Sequence, residues 1–512
     1  MRHLRTIGVA LVPTAALALL TLIIGPAGPI FWLGYSVALV ATLLSLRVLL
    51  SSSVGLSLAL VTLFSSERFL IAVAAPQLAT ERVTALLVYD EFVFPALVVV
   101  GLPYYLGRWR QQPRPFQFVD LVVVAFALVV AVGFVFSDAP LQERLIYARR
   151  FLVLPMTYLA ARTVRVQQGN ARLAIAIVVA GGIAVAGFGL LERFSPPGMI
   201  WGGLADPNAY YATAPYSGSA TSGAPDAQAT IAGLPHAFWS FEGGVPSRRL
   251  VSTFLEAPTL SLFLSLVLLL GIALTLDLDT RQRLGMLPGL AAVVMALGLT
   301  LGKGGWALAL AGSTYLFAAR LRPRLASRAV MVLLAVAMCL GLVGIAVVAE
   351  LFGVNSGLRM HLAGLTSGLD TALSNPLGLG LGSSGVFSSR PMAAAGESML
   401  GVLLAQLGWP GAAAWTFWLV SAGLAVAIST RSQPDLRGVG LAAGTAMVLL
   451  PAAGALTESV GGLVGMWAFG VVTGLLSSDV EARRLDRFED HVRSVSLRPL
   501  SHERSRPTPR RA

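Results

Sequence analysis

Apolar residues run along this chain in repeated stretches, broken by short polar hinges, from Ile7 to Leu476. A helix needs ~20 mostly apolar residues to cross a bilayer, whose hydrocarbon core is about 30 Å thick. The pattern predicts spans near 7–25, 29–47, 54–75, 86–106, 119–136, 143–161, 172–192, 256–276, 285–302, 304–319, 329–351, 398–428, 437–456 and 459–476. Backbone groups in lipid must be paired within the segment, so these spans are expected to be helices. A membrane barrel would show short alternating segments, which continuous runs such as Leu260 to Leu276 do not.

The expected fold class is therefore an all-α polytopic integral membrane protein with about 14 transmembrane helices and two large extracytoplasmic loops. Helices occupy 1–192, a first long loop 193–255, further helices 256–351, a second long loop 352–397, and the last helices 398–477, followed by a basic tail at 478–512. Composition strengthens this picture: 56% of the 512 residues are hydrophobic and 12% charged, with mean hydropathy +0.76, whereas a soluble domain is about one-quarter charged. The segment Met1 to Arg5 followed by an apolar run is shaped like a signal peptide. A retained first span is the preferred reading, because no clear small-residue cleavage site follows and Pro29 to Leu46 continues into another apolar run.

A formal charge of +12 raises the question of nucleic acid. The arginines instead sit on short hinges and in the tail, which is the footprint of membrane topology and argues for a bilayer and against a nucleic-acid partner. With the N-terminus cytoplasmic, Arg47, the Arg108/Arg110/Arg114 hinge, Arg162/Arg165/Arg172, Arg281/Arg283, Arg320 to Arg328 and Arg431/Arg437 all fall on the cytoplasmic side, and Arg82 is the exception. Both termini are then cytoplasmic, and both long loops face outward. The run at 143–161 fits least well, because it contains Glu143, Arg144, Arg149 and Arg150. The single cysteine, Cys339, lies in an apolar run, where it reads as a packing residue.

Loops as long as 193–255 and 352–397 are usually functional or disordered. The Gly/Ala/Ser-rich stretch Ser217 to Thr230 is expected to be mobile. At the end of the first loop stands Arg248-Arg249-Leu-Val-Ser-Thr-Phe-Leu-Glu256-Ala-Pro258. Two arginines at an outer boundary oppose the positive-inside bias, and their guanidinium groups suit bidentate binding of phosphate; headgroup contact is the plainer alternative. Lys303, the sole lysine, lies in Leu301-Gly-Lys-Gly-Gly-Trp306 and either supplements that charge or anchors the interface. The second loop carries Arg359 and His361, the latter either a base, a donor to phosphate or an ordinary hydrogen-bonding residue. It continues through Pro376-Leu-Gly-Leu-Gly-Leu-Gly382-Ser-Ser-Gly385. The glycines satisfy a G-x-G-x-x-G spacing, but no strand precedes them, so a dinucleotide site is excluded by context. A structural turn, or one whose amides approach an anion, remains.

The second loop closes with Glu397-Ser398, then nine residues, then Gly408-Trp-Pro-Gly411. Taken with the preceding motifs, this arrangement resembles the bacterial O-antigen ligase and polysaccharide polymerase family, whose second periplasmic loop ends in His-(Asn/Ser/Gln)-x9-Gly-x-x-Gly. Ser398, Gly408 and Gly411 match that spacing, while Glu397 stands where the ligases have histidine, so a polymerase or another glycan ligase fits better. Arg249 to Pro258 resembles the family's first-loop arginine motif, Leu301 to Trp306 its short Ser-Arg-Gly-x-Trp-type stretch, and Pro376 to Gly385 its Pro-x-Gly-x-Gly turn. The resemblance covers roughly 190–430.

That resemblance implies transfer of a glycan from a polyprenyl-diphosphate carrier to a glycan or lipid-glycan acceptor hydroxyl, at the outer face of the bacterial cytoplasmic membrane. It implies no cofactor and no metal, and it admits other polysaccharide-assembly membrane proteins as partners. Arg249 and Arg359 are expected at the diphosphate with Arg248 and Lys303 in support, and Glu397 is the expected general base with Ser398 and His361 beside the substrate. The competing class is a transporter or lipid flippase, for which Glu67-Arg68 and Asp90-Glu91 are the candidate midplane charges. A non-catalytic scaffold for envelope assembly is the third.

Overall fold

The computed structural model describes residues 53–77, 98–99, 102–103, 105–107, 114–164, 170–213, 230–231, 233–242, 245–325, 327–351, 358–385, 388, 398–457, 460 and 463–496. The runs at 7–25 and 29–47, most of 86–106, the stretch 217–229, the pair Asp90-Glu91 and the residue Glu397 lie outside them. The long helices are α1 (Ser53–Ala74), α2 (Arg114–Val135), α3 (Leu141–Thr163), α4 (Asn170–Phe194), α5 (Ala257–Leu276) and α6 (Thr280–Leu299). They continue with α7 (Lys303–Leu321), α8 (Arg328–Leu351), α9 (Leu358–Ser374), α10 (Met399–Ser429), α11 (Pro434–Ala455) and α12 (Leu463–Ser496).

Six of these helices are long and apolar enough to cross a bilayer: α4, α5, α6, α10, α11 and the Phe116–Val135 part of α2. The protein is an all-α, membrane-embedded chain with very little sheet. Burial sorts the spans, since α5 and α11 are 89% and 83% enclosed and form the centre, whereas α2 and α6 are 28% and 22% enclosed and form the rim. Along α2, Phe116, Val119, Val123, Phe126 and Val130 face inward, and Leu121, Val124, Leu128, Val132 and Val135 form an exposed apolar stripe at helical spacing. Such a stripe is stable against lipid tails and would be a liability in water.

The first long loop folds into a small lobe. Two helical turns (Pro197–Ile200 and Pro207–Thr213) precede two antiparallel hairpins, β1 (Thr230–Ile231) with β2 (Leu234–Pro235), and β3 (Trp239–Glu242) with β4 (Val245–Arg248). The lobe has its own core of Trp201, Tyr210, Leu234 and Phe238, packed on Ile71 and Ala72 at the end of α1.

Within the described part of the second long loop, Leu358–Ser374 forms a helix and the glycine turn after it is largely buried. This helix, α9, crosses the first turn of α10 backbone to backbone, so that a Cβ added to Gly368 would lie 2.5 Å from the Gly401 Cα. The glycine turn 376–385 then enters the bundle. Gly408 breaks α10 with φ 62° and ψ −160°, and Pro410 has no N–H to offer. The turn repairs the ladder: Leu379 N–H donates to Ala405 O and Gly380 N–H to Gln406 O, both at 2.9 Å, while Trp409 N–H donates to Pro376 O at 3.0 Å. Gly382 N–H donates to the Gln406 side chain (3.0 Å), and Leu381 N–H to Gly133 O (3.0 Å). These amides are therefore engaged by protein, and the turn is structural.

Helix α12 runs unbroken past the expected membrane boundary to Ser496. Its Glu481 is buried and meets Arg162 of α3 at 2.5 Å, and Arg162 also meets Asp120 of α2 at 3.2 Å. Tyr105 donates to the same Asp120 at 2.5 Å. Arg162 thus ties three helices together inside the protein, where the topology pattern had placed it on an exposed hinge. Removing one member of a buried ion pair strands the others and costs about 3–5 kcal/mol. Arg162→Ala should accordingly unfold well below the wild type in thermal melts of purified protein, and a melting curve that overlays the wild type would refute a triad of structural weight.

Candidate functional site

The segment from Arg248 to Glu256 joins the lobe to α5, and its backbone is held from several sides. Arg249 N–H donates to Phe238 O (2.8 Å) and Leu250 N–H to Leu299 O (2.9 Å). The Ser252 hydroxyl donates to Val185 O (2.7 Å), and the Tyr211 hydroxyl donates to Leu255 O. Within this frame Ser252 and Leu255 adopt φ values of 51° and 56°, and Leu301, which precedes Lys303, adopts 55°. These are the positive-φ residues other than glycine among the described residues. A side chain in the left-handed region costs about 1–3 kcal/mol and persists only where surroundings over-determine it, most often at functional sites. Strain therefore concentrates on the two short segments that the sequence marks as candidates.

Each charged side chain here has a definable role. Glu256 is the N-cap residue of α5, yet its side chain makes no cap hydrogen bond. Its carboxylate instead meets Arg68 of α1 at 2.8 Å, and Arg68 also donates to Phe254 O at 3.2 Å. Burial pushes the Glu256 carboxyl up, but the Arg68 charge and hydrogen bond, with help from Arg150, outweigh it, and the group is held below its ordinary range. Arg248 meets buried Glu192 of α4 at 2.5 Å, and Glu192 also accepts from Trp201 Nε1 at 2.8 Å. Arg248 is thereby committed to a carboxylate that anchors the lobe. Its neighbour Arg249 points elsewhere and donates to the neutral Ser240 hydroxyl at 3.2 Å.

Lys303 is the first residue of α7 and half-buried. A cation at a helix N-terminus opposes the helix dipole, so its charge adds to an already positive end. Gly305 lets this turn press on α5: a Cβ there would lie 2.5 Å from Ser261 O. On its other side, a Cβ on Gly304 would lie 3.2 Å from Thr457, beyond the end of α11, and a Cβ on Gly454 would lie 3.6 Å from the Met399 Cβ. The end of α11 therefore stands between the Lys303 turn and the start of α10. There Ser398 is fully buried and accepts from Gly401 N–H at 3.1 Å, so it serves as the cap of α10. Arg359 and half-buried His361 lie in the first turn of α9, the helix laid across that cap.

Sequence reasoning missed Tyr147 and Arg150 of α3. The Gly385 Cα faces Tyr147 of α3, where an added Cβ would be 2.8 Å from the ring Cζ. Arg150 lies 6.0 Å from the centroid of that same ring, and its charge acts on Glu256. Tyr147 thus packs against the glycine turn of the second loop, with Arg150 beside its ring. Their signal was the cluster of charges that made 143–161 a poor span; charge inside an apolar run marks function or internal pairing. Arg68 gave the same signal, and it pairs with Glu256 at the start of α5.

The arrangement sets Arg249 on a segment held by two fixed ion pairs, Arg248 with Glu192 and Arg68 with Glu256, and Lys303 on the turn that follows Leu299, which accepts from Leu250. Preorganised guanidinium groups of this kind suit a phosphate or diphosphate. Among the described residues no group of three or more His, Cys, Asp or Glu side chains could hold a metal ion.

Glu256 gives a test of this electrostatic frame. A carboxyl with a lowered pKa contributes stability that is present above the unfolded-state value, near 4.3, and lost as pH falls through the folded value below it. Glu256→Gln should therefore melt below the wild type at pH 7 and equally at pH 5, with the gap closing only below about pH 4. A gap already closed at pH 5 would show that Arg68 does not hold the carboxylate.

Neither protein-family models nor curated protein sequences match this chain, so its chemistry is argued from the residues themselves.

Proposed function

We propose that this protein is a membrane glycosyltransferase of the polysaccharide polymerase or O-antigen ligase type. It moves a glycan from a polyprenyl-diphosphate carrier to an acceptor hydroxyl on the outer face of the bacterial cytoplasmic membrane. The observation that supports this reading is the coincidence of strain and charge: all three left-handed non-glycine residues among those described lie within the Arg248-to-Glu256 segment or two residues before Lys303. The topology that accompanies it has about 14 spans, both termini in the cytoplasm and both long loops outside.

In this reading the diphosphate is the leaving group, and charge grows on its bridging oxygen as the glycosidic bond breaks. Arg249 and Arg359 stabilise that charge, with Lys303 in support. Arg248, through Glu192, sets the position of the segment. The acceptor hydroxyl attacks the anomeric carbon and gives its proton to Glu397, with His361 the next residue in line for that role. Ser398, as helix cap, fixes the start of α10, next in sequence to Glu397. No cofactor enters, because cleavage of the linkage between the sugar and its diphosphate leaving group supplies the driving force.

Arg249→Lys keeps the charge but removes the forked two-bond grip, and should lose most transfer activity. Wild-type turnover of a lipid-linked donor by that variant would remove Arg249 from the diphosphate site. Glu397→Gln should leave abundance and donor binding intact while slowing transfer at least ~100-fold, the usual range for a lost general base. A full-rate glutamine variant in a reconstituted transfer assay would eliminate Glu397 and direct the same test to His361.

A further inference from the structure

At the end of the bundle remote from the lobe, α4, α5 and α6 leave a groove of about 450 Å³. Ala176, Ala180 and Ile183, on one face of α4, line it together with Leu274 of α5 and Met286 of α6. Its one charged lining residue is Arg172, about a third exposed, in the first turn of α4. Arg172 is held only at long range, 3.9 Å from the Asp277 carboxylate and 3.4 Å from the Asp435 carbonyl. Asp277 in turn feels Arg320, Arg283 and Arg437 as well as Arg172. Asp277 thus stands near these arginines at the mouth of an apolar trough, where Asp435, paired with Arg483, and Asp279, the cap of α6, belong to the same cluster. Twenty residues of α4 separate this mouth from Glu192, a rise of about 30 Å, so the groove is distinct from the candidate transfer site.

We propose that this groove is a binding site for an anionic glycerophospholipid. One acyl chain lies along Ala176 and Ala180, and the phosphate headgroup sits among Arg172 and its neighbouring arginines. Any lipid-facing trough is filled by some chain. The excess of guanidinium groups at one end is what selects the headgroup, because a zwitterionic lipid brings its own cation to a site already rich in them.

The test uses full-length protein in a neutral detergent, with thermal unfolding followed as dioleoyl phosphatidylglycerol is titrated in. Dioleoyl phosphatidylcholine, glycerol 3-phosphate and a short polyprenyl phosphate serve as comparison ligands. Phosphatidylglycerol should raise the midpoint, and phosphatidylcholine and glycerol 3-phosphate should do so far less. Arg172→Gln should weaken the apparent affinity about fivefold, the effect of one basic residue at a lipid surface. Ala180→Phe, which fills the trough, should abolish the selective shift. Should Ala180→Phe not fold, native mass spectrometry of the wild type and Arg172→Gln gives the same comparison, with phosphatidylglycerol bound about fivefold less tightly by the second. Equal shifts from the two dioleoyl lipids would reduce the groove to ordinary lipid solvation, and a full shift from glycerol 3-phosphate would leave only an anion site. Tighter binding of the polyprenyl phosphate would reassign the groove to the carrier, and an unchanged affinity in Arg172→Gln would overturn the headgroup assignment. None of these measurements depends on glycosyl transfer.

Discussion

Inside a membrane protein every backbone amide and carbonyl must find a partner, and α10 breaks that rule locally. Gly408 leaves helical geometry and Pro410 removes a donor, so carbonyls near the break need amides from elsewhere. The glycine turn 376–385 supplies them, and it can do so only by entering the bundle with positive φ at Gly378, Gly380, Gly382 and Gly385. This exchange of hydrogen bonds places the rest. Once the turn is docked, Gly385 meets Tyr147 and α9 is drawn across the start of α10.

The same exchange explains why the Gly-x-x-Gly spacing at 408–411 and the Pro-x-Gly-x-Gly pattern at 376–380 occur together in one chain. They are two halves of one contact. A Cβ at Gly378 would lie 2.6 Å from Gly408 N, and Trp409 N–H returns a bond to Pro376 O. Their physical reason is backbone pairing at a broken helix, a purpose that composition alone does not reveal.

Helices with long, uniform apolar runs were legible in the sequence, because lipid and interior impose the same demand on them. The runs at 54–75, 172–192, 256–276 and 437–456 correspond to Ser53–Ala74, Asn170–Phe194, Ala257–Leu276 and Pro434–Ala455 within a few residues. Two kinds of feature were not legible. The lobe is built from hairpins of two to four residues around Trp201 and Phe238, too short for any periodic signal. Helix α9 does carry apolar residues at 358, 362, 365, 369 and 373, a helical spacing, but its glycines and serines read as loop. The charges of α3 misled for a different reason, since Arg162 and Arg150 are satisfied or used by residues far away in sequence. Positive-inside reasoning counts such arginines as exposed; the fold encloses Arg162 with Asp120 and Glu481.

The candidate site has an electrostatic logic that follows from its two bounding ion pairs. Arg248 at one end of the segment meets Glu192 of α4, and Glu256 at the other end meets Arg68 of α1, so the polarity is reversed between the ends. A segment clamped in this way cannot slide, because a shift in register would bring like charges toward one another and expose buried ones. Clamping both ends is what allows Ser252 and Leu255 between them to hold left-handed backbone geometry. It also fixes Arg249, whose amide is pinned to Phe238 and whose guanidinium turns toward Ser240. The cost of orienting that guanidinium is thereby met during folding, and an anion arriving at the site would encounter donors already in place, which is the condition under which electrostatic stabilisation of a developing charge is strongest.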